Sequence, residues 1–410
     1  MMIQSVIERL VEANPNLEIW WDSSPLTYDS WKRGMLEHAT PTGRPILEEQ
    51  LTRLLNLDDP AASLVRGCTT NPPLAYEAVK SDPDFWNEWI ADAILNHPDL
   101  DEKEIAWLTY EETIRLGARI MLPIWQATNG RYGWISGQLD PRLFKEIDVM
   151  VSAAEELSSL SSNVMIKVPA STEGITVLRI LASKGIGTNT TTCFTLPQIL
   201  ASARATLEGV QLKQKGSFYD SEVVDLNRWR AVITMMVGRL TENPALDEQA
   251  RRAGITLSWE DKHWFGIAVF QRAYRILKEE GYPSKLLACS LRQGPFVAGR
   301  QRFWDVEFLA GDVVYTCPPY VLEPLFEACN DLTFESEAIE KVQVPPRVMD
   351  KLLQIPYAIQ AYDPNGMWLE QFNPHPATVA TIKSFSKAID SLEAYVGHQY
   401  ARVRHSSVTA

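Results

Sequence analysis

The chain has 410 residues, 45% of them hydrophobic, and a formal net charge of −13. This composition supports a large core, and a single β/α barrel with insertions reaches this length. The negative charge argues against nucleic acid or an anionic membrane as a partner. No stretch approaches the length of an apolar membrane span, and residues 1–17 lack the apolar core of a signal peptide. We therefore expect a cytoplasmic protein.

The cysteines and histidines do not form metal-binding patterns. The five cysteines are scattered without a CxxC pair, and the six histidines form no HxH or HExxH sequence. These patterns predict reduced thiols and no metal site. Glycine-rich loops of the GxxxxGK[ST] or GxGxxG type do not occur in a suitable context. We accordingly expect metal-independent chemistry without a nucleotide or other cofactor.

Strand and helix patterns alternate along the chain. The predicted strands are 17–22, 62–73, 120–124, 132–138, 164–168, 185–194, 231–234, 285–290 and 312–315. The predicted helices are 47–55, 74–97, 102–116, 143–157, one that begins at 171, 196–207 and 259–280. Gly185 is the expected stop of the helix that begins at 171. This alternation predicts one parallel α/β unit, either a closed eight-fold barrel or an open doubly wound sheet.

The last part of the chain departs from this alternation. Five prolines between positions 345 and 374 indicate that residues 334–373 form an irregular insertion or cap with one short helix. The insertion is either a lid or an oligomer surface, and the oligomeric state stays open. Residues 378–395 are predicted to form an amphipathic helix, and residues 396–410 a loose tail. Because no linker divides the chain, we expect residues 1–410 to form a single domain.

Lys167 lies in the most informative stretch, residues 163–174. Val164, Ile166 and Val168 point to one face of a continuously apolar strand, and Lys167 points to the other. Such a strand is typical of a parallel sheet that is covered on both faces, which would bury Lys167 near the carboxyl end of the strand. Burial lowers the pKa of an ammonium and makes lysine an amine nucleophile. The alternative is a lysine that extends to the surface.

Other polar residues follow the predicted strands, where parallel barrels and open sheets both place their sites. A buried lysine with a nearby carboxylate is the combination that Schiff-base chemistry on carbonyl compounds uses. Two arginines opposite it could bind a phosphate through charge-assisted hydrogen bonds. The complete set is Asp22, Asn71, Gln138, Lys167, Asn189, Thr191, Thr234, Arg239, Ser290 and Arg292.

Five short segments carry a resemblance to a known family: 68–74, 166–174, 184–194, 237–239 and 288–292. The chain resembles the transaldolases, Schiff-base (β/α)8-barrel enzymes that transfer a dihydroxyacetone unit between sugar phosphates. The resemblance extends from about residue 17 to residue 325 and includes the last helix. It implies a TIM barrel, sugar phosphates as small-molecule substrates, and a place in carbohydrate metabolism such as the pentose phosphate pathway.

The resemblance also implies roles for individual residues. Lys167 would form the imine with the donor ketone, because a protonated imine accepts the electrons that C–C cleavage releases. Asp22 would be the general acid and base. Thr191 would lie near the catalytic water. The predicted substrate-binding residues are Asn71 and Asn189 for the donor hydroxyls, Thr234, Arg239 and Arg292 for the phosphate, and Ser290 and Met236 elsewhere in the pocket.

Two positions depart from the family pattern. Gln138 stands where transaldolases have a glutamate, and an amide can position a water but cannot exchange a proton at neutral pH. Fructose-6-phosphate aldolases also have glutamine there, but they have a tyrosine where this chain has Met236, and transaldolases have phenylalanine. The alternatives are therefore a lyase that releases a free ketone, a C–C bond enzyme of specialised metabolism with an unusual acceptor, and a non-catalytic sugar-phosphate-binding relative.

The chain contains thirteen tryptophans, which is many for its length. Trp20, Trp21, Trp125 and Trp134 fall close to predicted strand ends. They either pack the core and the contacts between helices and barrel, or form an apolar wall that reshapes the acceptor pocket.

Overall fold

The computed structural model describes residues 3–214, 228–297, 299–327 and 332–408. The strands in these ranges are β1 (Glu18–Trp21), β2 (Val65–Thr70), β3 (Trp134–Gln138), β4 (Val164–Pro169), β5 (Thr188–Cys193), β6 (Ala231–Met236), β7 (Lys285–Cys289), β8 (Phe296–Val297), β9 (Arg300–Gln301) and β10 (Val314–Cys317). The helices are α1 (Val6–Ala13), α2 (Tyr28–His38), α3 (Arg44–Leu54), α4 (Pro72–Ser81), α5 (Pro83–Asn96), α6 (Glu102–Ala127), α7 (Ile147–Ser159), α8 (Thr172–Lys184), α9 (Leu196–Gln214), α10 (Val237–Thr241), α11 (Pro244–Arg252), α12 (Trp259–Glu279), α13 (Trp304–Phe308), α14 (Pro319–Glu327), α15 (Ala338–Lys341), α16 (Pro346–Leu352), α17 (Pro356–Tyr362) and α18 (Pro376–Val408).

Eight strands close into a barrel in the order β1-β10-β7-β6-β5-β4-β3-β2, and every neighbouring pair is parallel. The predicted (β/α)8 barrel is therefore confirmed, and the open sheet is excluded. β8 and β9 form a separate antiparallel hairpin that the sequence patterns did not predict. Because all the barrel strands run in one direction, their carboxyl ends share one end of the barrel.

The sequence around β4 explains its position in the barrel. Every residue of β4 is buried, as expected for a strand with helices on one face and the barrel interior on the other. The helix that follows, α8, begins after Ser171, whose hydroxyl oxygen accepts a hydrogen bond from the Gly174 amide. It ends at Gly185 in the left-handed conformation, at φ 79°, as the sequence predicts.

Trp20 and a charged cluster fill the barrel near the amino-terminal ends of its strands. Glu18 on β1 accepts hydrogen bonds from Arg230 at 2.5 Å and from Lys285 on β7 at 3.0 Å. Side chains alternate along a strand, so Trp20 points inward together with Glu18. A Cβ at Gly67 would lie 2.5 Å from Cε2 of Trp20, and only glycine leaves room for the ring. Trp20 therefore packs the barrel core below the polar strand ends.

Two predicted boundaries in the first half of the chain are wrong. Residues 120–124, predicted as a strand, belong to α6, which continues to Ala127 with Pro123 inside it. Met121 and Ile124 are buried there, and a short apolar run does not distinguish a buried helix from a strand. The predicted helix 74–97 is divided at Asp82, whose side chain caps α5 ahead of Pro83.

The C-terminal region is more helical than predicted. Residues 334–373 contain α15, α16, α17 and a 3-10 turn at Leu369–Gln371, where one short helix was expected. Helix α18 continues to Val408, so the predicted loose tail at 396–410 is wrong as far as residue 408, and residues 409–410 lie outside the described part. Buried Val396 and the hydrogen bond from Tyr400 to the Leu100 carbonyl at 3.1 Å hold this extension against the barrel helices.

Candidate active site

Lys167 is the fourth residue of β4, and its side chain is fully buried. Its Nζ has no hydrogen-bond partner among the described residues. Burial lowers the pKa of the ammonium, while nearby negative groups, Asp22 among them, partly oppose this effect. At a given pH, the unprotonated and nucleophilic fraction of the Lys167 amine is therefore larger than that of an exposed lysine.

Asp22 directly follows β1 and meets two hydroxyl groups of neighbouring strands. Thr69 on β2 donates to Oδ1 of Asp22 at 2.5 Å, and Thr316 on β10 lies 2.7 Å from Oγ1 of Thr69. Because Thr69 gives its one hydrogen to the carboxylate, Thr316 is the donor in the second bond. Burial raises the pKa of Asp22, against the effects of the Thr69 hydrogen bond and the Lys167 charge. The structure therefore brings Asp22 and Lys167 within electrostatic range of each other.

Neutral hydrogen-bonding side chains lie on the strands beside Lys167. Asn189 on β5 is in register with Lys167, and its Nδ2 donates to Oγ of Ser136 on β3 at 2.9 Å. Thr234 on β6 donates to Oδ1 of Asn189 at 2.6 Å. The Thr234 hydroxyl is thus bound to a side chain predicted to hold a donor hydroxyl, rather than to either candidate arginine. This network fixes the orientation of the Asn189 amide.

Gln138 and Thr191 each have a buried oxygen without a partner in the described part of the chain. Gln138 is in register with Lys167 on β3, and its Oε1 has no hydrogen-bond partner. Thr191 on β5 pairs with Pro169, two residues beyond Lys167, and its Oγ1 is also without a partner. Buried polar atoms are nearly always satisfied by protein, water or ligand. These two atoms are therefore suited to hold a water or a substrate hydroxyl beside the amine.

Asn71 and Met236 also lie at strand ends. Asn71 follows β2 and caps α4, because its Oδ1 accepts a hydrogen bond from the Leu74 amide at 3.1 Å. Met236 is the last residue of β6, is only 2% exposed, and pairs with Cys289 on β7. The Met236 thioether therefore forms part of the apolar boundary of the site. A tyrosine in its place would put a hydroxyl there.

Arg239, on the short helix after β6, lies against the last helix. Its guanidinium carbon lies 5.0 Å from the centre of the Phe385 ring, and Nη1 is 3.4 Å from the Thr381 hydroxyl. Burial lowers the pKa of this guanidinium. Helix α18 thus covers part of the barrel mouth on the side of β6.

Arg292 follows β7 in a tightly constrained turn. Ser290 has a φ of 57°, which is rare for a residue other than glycine, and its carbonyl accepts from Nη1 of Arg292 at 2.9 Å. A Cβ at Gly238 would lie 2.4 Å from that carbonyl oxygen and 2.7 Å from Cζ of Arg292, so the Val237–Arg239 segment needs glycine there. The buried Asp305 carboxylate accepts from the Arg292 amide at 2.8 Å.

Sequence reasoning did not select five of the residues that shape the site. Thr69 and Ser136 stand two positions before Asn71 and Gln138, so strand alternation was a usable signal for both. Thr316 was missed because the last strand was predicted to end at 315. Cys289, within the 288–292 segment, raises the pKa of Lys167. Burial raises the pKa of the Cys289 thiol itself to about 11. Glu242, bonded to Arg292, gave no sequence signal.

Two further features bear on the kind of site. In the described ranges, no group of three or more His, Cys, Asp and Glu side chains is arranged to hold a metal ion. Within the same ranges, no helix has the length and apolar character that crossing a membrane requires. The candidate residues that the sequence selected at the barrel mouth supply one amine, one carboxylate, amides, hydroxyls and two guanidinium groups.

The closed parallel barrel, with polar side chains gathered at the carboxyl ends of its strands, defines a (β/α)8-barrel protein with a site at the usual end of that fold. The chain belongs to the transaldolase/fructose-6-phosphate aldolase family, whose model matches residues 56–362. This match includes every candidate site residue except Asp22.

Curated relatives agree with the family assignment. The chain is 28% identical to transaldolase 1 of Streptomyces avermitilis over 251 residues, which are 60% of this chain and 64% of that protein. It is 30% identical to transaldolase 2 of the same organism over 274 residues, 63% of this chain and 70% of the relative. A transaldolase of an Arthrobacter species is 26% identical over 321 residues, 73% and 77% of the two chains. The match to the first relative thus spans less than two thirds of its length.

Proposed function

We propose that the protein is a transferase that moves a dihydroxyacetone unit between sugar phosphates through a Schiff base on Lys167. The observation that supports this most directly is the buried Lys167 amine, without a hydrogen-bond partner in the described chain and within electrostatic range of Asp22. Membership of the family, and similarity to proteins named transaldolase, point to the same chemistry.

The reaction begins when Nζ of Lys167 attacks the ketone carbon of the donor, and loss of water then gives a protonated imine. Asp22 takes the proton from the hydroxyl on the carbon whose bond to the transferred unit breaks. The electron pair of that C–C bond moves into the imine and forms an enamine, and the aldehyde product leaves. The enamine carbon then attacks the acceptor aldehyde, the new alkoxide regains a proton from Asp22, and water releases the product from Lys167.

The remaining residues position the reactants. Gln138 and Thr191 hold the water of imine formation and hydrolysis through their unpartnered oxygens, and since an amide does not exchange protons, Asp22 and the water itself move the protons. Asn71 and Asn189 bind donor hydroxyls. Ser290 and Met236 form part of the pocket wall. Arg239 and Arg292 bind the phosphate. Thr234 acts through its hydrogen bond to Asn189.

Trapping with borohydride tests the proposal. Incubation with fructose 6-phosphate and borohydride should add the reduced donor to Lys167, detectable by peptide mass. Lys167→Ala should prevent the labelling, whereas Lys184→Ala, at a surface lysine paired with Glu155, should not. Labelling of another lysine, or none with folded protein, would contradict the Schiff base at Lys167.

Gln138 favours a second candidate, a lyase that releases the free ketone. Both candidates form the same imine, so trapping does not separate them. The separating measurement is product formation from fructose 6-phosphate alone and with an aldose-phosphate acceptor. The transferase should turn over only with acceptor and release negligible dihydroxyacetone. Dihydroxyacetone release at a similar rate without acceptor would establish the lyase instead.

A further inference from the structure

The guanidinium of Arg292 is already bound to a carboxylate of the same chain. Its Nε donates to Oε1 of Glu242 at 2.8 Å, and its Nη2 donates to Oε2 at 2.6 Å. This is the paired geometry with which arginine binds a phosphate. The side chain of Glu242 is 56% exposed and that of Arg292 is 29% exposed, so the pair faces the solvent side of the barrel mouth.

The remaining hydrogens of Arg292 are also largely committed. Nη1 donates to the Ser290 carbonyl at 2.9 Å, and the Tyr320 hydroxyl oxygen lies 3.0 Å from the same nitrogen. A guanidinium has five N–H donors, and Nε, one hydrogen of Nη2 and both hydrogens of Nη1 have acceptors here. A phosphate can therefore bind the Nε–Nη2 edge of Arg292 in the bidentate manner only if it displaces the carboxylate of Glu242, and the Nη1–Nη2 edge is partly occupied by Tyr320.

Glu242 is held as an anion by the same contact. The hydrogen bond and charge of Arg292 keep the pKa of Glu242 below its usual range. Arg239 lies within electrostatic range of Arg292, whose positive charge adds to the lowering of the Arg239 pKa that burial causes. A phosphate between Arg239 and Arg292 would thus meet the negative charge of Glu242, which already neutralises one of these two positive charges.

We propose that Glu242 is a specificity-determining residue, a built-in anion that competes with the substrate phosphate for Arg292. The inference rests on the proposed function, and it identifies Glu242 as the residue that limits the affinity of the phosphate subsite. Because Glu242 must swing toward solvent before a phosphate can bind Nε and Nη2 of Arg292, the protein discriminates less strongly between phosphorylated and unphosphorylated ketoses than a site with two unoccupied arginines would. Removing the Glu242 charge should restore that discrimination.

Two measurements on the full chain test this inference with the variant Glu242→Gln. Inorganic phosphate, followed by calorimetry, should bind about three- to tenfold more tightly to the variant than to the native protein, as expected for losing a competing pair that is partly exposed. The half-saturating concentration of fructose 6-phosphate in borohydride trapping should fall by a similar factor. That of unphosphorylated fructose should stay unchanged.

Glu248→Gln is the matched control, because Glu248 forms an exposed pair with Arg252 on α11 and its substitution changes the net charge equally. It should leave both affinities unchanged. In the Arg292→Gln background, Glu242→Gln should give no further gain in phosphate affinity, because the guanidinium for which Glu242 and phosphate compete is absent. Unchanged or weaker phosphate binding in Glu242→Gln would overturn the inference. Phosphate binding that tightens while no lysine is trapped would instead overturn the proposed function alone, so the two failures are distinguishable.

Discussion

The hydroxyl of Thr69 donates to the carboxylate of Asp22 across 2.5 Å, from a neighbouring strand of the barrel. A second hydroxyl, that of Thr316, supports Thr69 from the other side. The bond favours the ionised form of Asp22, so it opposes the rise in the Asp22 pKa that burial causes. Thr69 thereby favours the form of this buried carboxylate that can accept a proton.

Thr69→Val removes this donor and keeps the shape of the side chain. The pKa of Asp22 should rise further, because burial then acts with less opposition. The acid limb of transfer activity against pH should move to higher pH, and activity at neutral pH should fall by about tenfold, the scale of one hydrogen bond to a charged group. The measurement is initial rate against pH with saturating donor and acceptor.

Thr109→Val is a suitable control, since Thr109 is buried in α6 and its hydroxyl donates to a helix carbonyl at 2.7 Å. Its acid limb should coincide with that of the native protein. An acid limb in Thr69→Val that stays in place or moves to lower pH would show that Asp22 is not the base whose titration limits turnover.

Glu18 makes acid stability a second testable property. The charges of Arg230 and Lys285 overcome the effect of burial and lower the pKa of Glu18 from 4.5 to about 2. A depressed carboxyl pKa means that the unfolded chain binds more protons between these two values, so the free energy of unfolding rises with pH across that window. The contribution is fully present above pH 4.5 and is lost as the pH falls toward about 2.

Glu18→Gln should remove this contribution of about 3 kcal/mol and leave the partly buried Arg230 without its carboxylate, while Lys285 keeps its pair with Asp312. The measurement is the denaturant midpoint of native and variant protein at several pH values from 7 to 2.5. The two curves should converge as the pH falls. Glu77→Gln, at an exposed pair with Lys80, should follow the native curve throughout, and a constant difference for Glu18→Gln would contradict the shifted pKa.

The barrel was predictable from sequence because its signals are local. The apolar strand at β4, the cap at Ser171 and the stop at Gly185 each follow from neighbouring residues. Residues 120–124 misled because apolar runs in a buried helix and in a buried strand look alike, and only the long packing surface of α6 decides between them. The helical extension to Val408 depends on contacts with Leu100, about three hundred positions earlier, that no local pattern contains.

The candidate site was predictable to a similar degree and for similar reasons. Lys167 and Asp22 stand at strand ends, where the fold gathers polar side chains, so their proximity followed from the barrel itself. Thr234 is predicted at the phosphate, and its hydrogen bond to Asn189 on the neighbouring strand is a contact that the sequence pattern does not reveal. The contact between Glu242 and Arg292 was not predictable, because it depends on the conformation of the turn at Arg292, and the sequence pattern does not specify that conformation.

Lys167 offers a third prediction, on the relation between stability and activity. Its amine is fully buried without a partner in the described chain, and an unsatisfied buried polar group costs free energy in the folded state. Lys167→Met keeps most of the volume and removes the polar group. The variant should be more stable by about 1–3 kcal/mol while losing borohydride labelling and transfer activity completely.

Thermal and denaturant unfolding of the two proteins at neutral pH measure this difference. Lys184→Met, at a half-exposed lysine of α8, should change the free energy of unfolding by less than about 0.5 kcal/mol. If Lys167→Met is instead less stable than the native protein, the amine is well solvated or paired in solution. Its pKa would then lie near the ordinary lysine value, and the argument that burial makes it a nucleophile would fail together with the expected gain in stability.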